Sequence, residues 1–138
     1  THCTSSAASD VYKRQAIDYL SNIGMNEIRN HEIELTDYAL GKLTSEFGET
    51  ISIFGPKDAT ERGGVISFTF DGAHPHDISQ VLDEENICIR AGHHCAKPLM
   101  QVLNVGATSR VSMYLYNDES DIDGLVAGLH KVRNLFTL

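Results

Sequence analysis

The sequence predicts an α+β domain with a small, largely antiparallel sheet. Three observations point there. Apolar residues recur with a helical step in several segments, two of them long. Short segments with period-2 alternation stand between these, far apart in the chain. Helices and strands alternate irregularly with no repeat period, which disfavours a regularly wound parallel sheet.

The first fifteen residues stand apart. Thr1 to Asp10 is nearly all Ser, Thr, Ala and Asp, and Val11–Gln15 adds no periodicity. Such a stretch buries too little apolar surface to offset its ordering entropy, so residues 1–15 are expected to be a disordered or non-native leader. Residues 16–138 form the domain. Ile17, Leu20 and Ile23 begin it with a helical step that Gly24 ends. Asn26 then caps a longer helix with Ile28, Leu35, Ala39, Leu43 and Phe47 on one face, stopping at Gly48. Ile51 and Ile53 mark a short strand before the Phe54-Gly55-Pro56 break, and Arg62-Gly63-Gly64 is expected to be a flexible loop. Val65–Phe70 is a strand with Ile66, Phe68 and Phe70 facing one way. A helix follows, Pro75 near its first turn and Ile78, Val81 and Leu82 inward. Ile87-Cys88-Ile89 is expected to be a short buried strand and Arg90–Cys95 a polar loop. Pro98 opens a short helix with Leu99, Val102 and Leu103, and Arg110–Leu115 is the last strand. Asn117 caps a closing helix with Ile122, Leu125, Val126, Leu129, Val132 and Phe136 inward. Its acidic start and basic end suit the helix dipole.

Composition narrows the function. The chain has 138 residues, 41% hydrophobic and 22% charged, which excludes collagen-like and wholly disordered proteins. It holds no apolar run long enough to span a bilayer and begins with no signal-peptide pattern. Eleven Lys and Arg against nineteen Asp and Glu give a net charge of −8, a surface that repels phosphate backbones. Neither a nucleic-acid nor a membrane partner is expected. Three cysteines, Cys3, Cys88 and Cys95, cannot all pair, which fits free thiols in a reducing, cytoplasmic setting.

Reactive side chains concentrate in Arg90-Ala91-Gly92-His93-His94-Cys95-Ala96-Lys97-Pro98. Arg90, His93, His94 and Lys97 bring positive charge to Cys95, and Pro98 places a helix start just beyond it. Both favour the nucleophilic thiolate. Gly92 allows backbone shapes closed to other residues. A metal site is disfavoured, because neither C-x-x-C nor H-x₃-H spacing occurs, and adjacent His-His-Cys residues cannot all face one ion. Arg110 follows a run of small residues. An arginine held on a strand can clamp a carboxylate bidentately, although taken alone it would be assigned to a surface ion pair.

The segment from Arg90 through Gly-His-His-Cys95 to Pro98-Leu99, with Arg110 fifteen residues after the cysteine, resembles the SufS-type (type II) cysteine desulfurases of the class V pyridoxal-phosphate enzymes. Arg62-Gly-Gly-Val-Ile-Ser-Phe68, His74-Pro-His-Asp77 and Tyr114-Leu-Tyr-Asn117 carry the resemblance further, from about Ala16 to Phe136. It implies the small C-terminal domain of the aspartate-aminotransferase fold (fold type I), and a homodimer in the full-length form. It implies that L-cysteine becomes L-alanine with pyridoxal phosphate as electron sink. Cys95 would then be the nucleophile that holds the sulfur as a persulfide. Arg110 would bind the substrate carboxylate, and Arg90 would orient and stabilise the thiol. Gly92, His93, His94 and Lys97 would support the loop. A SufE- or SufU-like acceptor would take the sulfur for iron–sulfur cluster assembly. The family's cofactor-binding large domain has no counterpart in the sequence, and none of the five lysines fits the cofactor-lysine pattern. The chain is therefore expected to be an enzyme fragment, inactive alone. Its alternatives are a stand-alone sulfur carrier, a relative with selenocysteine lyase chemistry, or an interaction domain with an inert thiol. Apolar surface is expected to be exposed around Leu35–Leu43, with self-association as the result.

Overall fold

A computed structural model describes residues 3–136, which divide into two compact units, one up to His31 and one from Glu32. In the first, α1 spans Cys3–Ile23 and ends at Gly24, whose φ of +101° suits glycine and whose N–H bonds Leu20 O. The stretch expected to be a disordered leader is therefore helical from Cys3. Its Ala, Lys, Arg and Gln residues are good helix formers. Helix formation there does not require burial, and residues 10–15 are indeed exposed. Residues 1 and 2 of that stretch lie outside the described residues. Next, α2 spans Met25–Phe47. Ile28, Leu35, Ala39, Leu43 and Phe47 are all buried, so the apolar face expected to meet solvent around Leu35–Leu43 is core. Exposed apolar side chains lie on α1 instead, at Val11, Tyr12, Ile17, Tyr19 and Ile23. Among the described residues no helix is long and apolar enough to cross a membrane.

The second unit is built on four strands, β1 (Ile51–Phe54), β2 (Val65–Phe70), β3 (Arg90–Gly92) and β4 (Thr108–Ser112). Their order is β1-β2-β4-β3 and every pairing is antiparallel, as expected. The register pairs Ile53 with Phe68 and Ile66 with Val111, so these side chains share one face. That face meets α2, α3 (Pro75–Glu84) and α5 (Glu119–Leu135) in a core of Leu43, Phe68, Ile78, Leu82, Ile122 and Leu129. The other face carries Phe54, Ser67, Arg110 and Arg90 in register.

Several element boundaries differ from the pattern-based reading. Ile87–Ile89 forms no strand: Asn86, at φ +61°, turns the chain out of α3, and pairing starts only at Arg90. Ile87 and Ile89 still pack on the core, but Cys88 is exposed. Half of the expected polar loop is thus β3. In α4 (Lys97–Val102) the inward residue is Met100, whereas Leu99 and Val102 are exposed. The last strand starts and stops earlier than expected, and its first two residues, Thr108 and Ser109, are fully buried despite their polarity. Asp118, not Asn117, caps α5, accepting from the N–H groups of Ser120 and Asp121 in a capping box with Asp121. The Arg62 loop is pinned rather than flexible. Its guanidinium donates to the carbonyls of Phe54, Pro56 and Val65 at 3.1, 2.8 and 2.9 Å. Gly64 is required there, because a Cβ would stand 2.6 Å from Met113 O.

Candidate functional site

The open face of the sheet and α4 enclose a cleft of about 450 Å³. Phe54, Val65, Leu99 and Leu103 give it apolar walls; His94, Ser67, Thr108 and Arg110 supply polar groups. An apolar cleft with few convergent polar groups is the usual form of a small-molecule site. The Arg62 contacts fix two of its walls by holding Phe54 and Val65. Thr108 and Arg110 reach the same cleft because they lie two apart on one strand. That parity is the signal by which Thr108, missed from sequence, could have been found.

Cys95 stands beside this cleft on the turn between β3 and α4, its thiol exposed. Gly92 leaves β3 at φ +122°, a value that bars other residues, and no neighbour lies near its missing Cβ. His94 and Cys95 both follow in the left-handed region, at φ +54° and +61°. Two successive non-glycine residues there cost roughly 1–2 kcal/mol each, so tertiary contacts must hold the turn. One local bond and one tertiary contact do so. His93 O accepts from Ala96 N at 2.8 Å, closing the turn. The His94 Nε2 lies 3.1 Å from Thr108 O and 2.9 Å from Thr108 Oγ1. Since a carbonyl only accepts, Nε2 carries the proton. Nδ1 is then an acceptor, buried with no hydrogen-bond partner. Burial, then the charge of Arg110, and more weakly Arg90 and His93, hold the His94 imidazole below its ordinary value against the opposing pull of Thr108.

Of the cations expected around the sulfur, Arg90 makes the contact, its Nη2 donating to Cys95 Sγ at 3.6 Å. His93 and Lys97 are exposed, and neither donates a hydrogen bond to the thiol. Arg110 is half-buried, and its Nε has no hydrogen-bond partner. A charged donor left unpaired on a cleft wall suits an anionic ligand group. The arrangement thus combines an exposed thiol on a strained turn, a guanidinium on its sulfur, and an arginine free to take a carboxylate. His74 and His76 serve elsewhere, His74 Nδ1 accepting from His76 N where it caps α3.

The fold, an α+β domain with a four-stranded antiparallel sheet, is one the chain shares with a family of enzymes. The aminotransferase class-V family profile matches residues 2–125, and the chain belongs to that family. The match takes in nearly all of the stretch set apart as a leader. A probable cysteine desulfurase of Halalkalibacterium halodurans is 49% identical over 88% of this chain and 29% of its own length. One from Streptomyces coelicolor is 50% identical over 88% of this chain and 28% of its own. The apo cysteine desulfurase of Thermococcus onnurineus superposes with a TM-score of 0.79 at 31% identity, over 84% of this chain and 28% of that one. The Escherichia coli cysteine desulfurase CsdA (S-sulfonic acid) gives 0.72 at 27%, over 87% and 29%. The chain spans less than a third of the length of the curated relatives it matches.

The described residues do not fit pyridoxal phosphate by themselves. No lysine lines the cleft. Lys42 pairs with Asp123 at 2.9 Å, Lys131 pairs with Glu85, and Lys57 lines a separate cleft with Leu40 and Thr44. Lys13 and Lys97 are exposed.

Proposed function

We propose that the chain is the C-terminal part of a SufS-type cysteine desulfurase, in which Cys95 receives the sulfur of L-cysteine. In the balanced overall change, L-cysteine and the Cys95 thiol give L-alanine and a persulfide on Cys95. The observation that carries this reading is the Arg90–Cys95 contact on a strained turn beside the Arg110 cleft. Arg110 would hold the substrate carboxylate and Arg90 the negative charge on sulfur. Gly92, His93, His94 and Lys97 would form the supporting loop. Pyridoxal phosphate would be held by residues outside this chain, and no step is derived through it. The exposure of Cys95 suits transfer of the persulfide sulfur to a SufE- or SufU-like acceptor for iron–sulfur cluster assembly. A homodimeric, cytoplasmic enzyme completes the reading. On this basis the chain alone forms no alanine from cysteine.

The test grafts residues 16–138 onto the Halalkalibacterium relative in place of its matching segment. Cys95→Ser should abolish alanine formation. Arg110→Ala should lower kcat/KM for cysteine roughly 100-fold, the loss expected for a buried charge deprived of its partner. Unchanged kcat/KM in Arg110→Ala would remove the clamp, and alanine formation by Cys95→Ser would remove the persulfide.

A further inference from the structure

We propose that His94, unlike its neighbour His93, is a positioning residue: its neutral ring latches the thiol turn to β4 and thereby sets Cys95 Sγ against Arg90. The inference deepens the reading of Cys95 as the reactive thiol and rests on it. The strain sits at two successive residues, His94 and Cys95, and both have positive φ. The side chain of the first reaches across to β4, where Nε2–H meets both Thr108 O and Oγ1. Thr108 is fully buried, so it gives the latch a rigid seat. His93 offers its backbone carbonyl to the turn and leaves its side chain exposed.

The latch needs only Nε2–H, which the neutral ring already carries. A second proton would go to Nδ1, which is buried and faces no acceptor. The charged groups acting on the ring are Arg110 from β4, Arg90 from β3 and His93 from the turn, and none is acidic. His94 therefore holds position as a one-sided donor. It moves no proton in this proposal.

The test alkylates the 138-residue chain with iodoacetamide and reads Cys95 and Cys88 separately by mass spectrometry. Cys95 should react faster than Cys88, an exposed thiol with no cation recorded on it. His94→Ala should slow Cys95 about fivefold, the scale of one hydrogen bond, and leave Cys88 unchanged. Arg90→Ala should slow it similarly. The double variant should react no more slowly than Arg90→Ala, because the latch acts through that contact. His94→Gln, which keeps an N–H donor, should restore most of the rate; a merely packed ring would not be replaced so selectively. Multiplying effects, or an unchanged rate in His94→Ala, would overturn the latch. Should His94→Ala fail to fold, Thr108→Val serves in its place, with a smaller slowing expected and no change overturning the proposal. Equal rates for Cys95 and Cys88 in the parent chain would instead overturn the reading of Cys95 as the reactive thiol. In that event amide exchange at Ala96 still decides the latch, by faster exchange in His94→Ala or by none.

Discussion

Arg90 and Arg110 stand directly opposite each other in the β3–β4 pairing, so two guanidinium groups share one face of the sheet. Neither has a recorded ion pair among the described residues. Like charges directly opposed on a sheet are destabilising. The fold accepts that repulsion at the spot where the thiol and the cleft meet.

Removing one of the two charges should therefore stabilise the isolated chain. Arg110→Met keeps the apolar stem and discards the charge. It should raise the unfolding free energy by about 0.5 kcal/mol. Urea denaturation of the two proteins checks this, and a lower midpoint for the variant would contradict it.

His94 makes stability depend on pH in a stated direction. Its folded pKa lies below the ordinary 6.5, so the unfolded chain binds the extra proton first. The stability it contributes is complete above about 6.5 and declines as pH falls toward the lower folded value. The lowered carboxylates Asp58, Asp118 and Asp123 act only below their ordinary 3.8. Thermal melts between pH 7 and 5 should show a fall in Tm for the parent chain and a flatter profile for His94→Gln.

Two glycines of α5 should respond oppositely to the same substitution. Around Gly124 no atom lies within 4 Å of an added Cβ, so Gly124→Ala should gain up to about 1 kcal/mol of helix propensity. A Cβ on Gly128 would run into Leu82 and stand 3.0 Å from Ile87. Gly128→Ala should cost about 1–3 kcal/mol through overpacking. Chemical denaturation of the pair measures both signs.

Self-association remains the expectation for the isolated chain, but through α1. Val11, Tyr12 and Ile17 are each more than half exposed on that helix. Light scattering should show concentration-dependent oligomers that Tyr12→Glu with Ile17→Glu reduces. A monodisperse parent chain would count against it.

Pattern was most legible where burial was one-sided. Alternation in Val65–Phe70 and the helical step from Ile28 to Phe47 each marked one apolar face, because position in a strand or helix decides which way a side chain turns. That the Leu35–Leu43 part of the helix face is core rather than exposed was not legible. The pattern failed where polar groups were buried or apolar ones were not paired. Thr108 and Ser109 sit in the sheet's interior with no hydropathy to announce them, and Ile87 packs on the core without joining the ladder. At the site, clustering singled out Arg90, His94 and Cys95, and the family resemblance singled out Arg110. Clustering did not separate His94 from His93, since that depends on two left-handed φ values and a partner fourteen residues on.

The strand order has a kinetic consequence. Neighbours in the sheet, β2 and β4 are separated in the chain by α3, β3 and α4. Closing that loop is the slow, non-local event of folding. The seat of the His94 latch and the partner of Arg90 both belong to β4, so thiol turn and cleft assemble in that same event. A nascent chain halted before Thr108 would display Cys95 with neither its anchor nor its facing arginine. Synthesis order thus leaves the thiol turn unanchored until the last strand has docked.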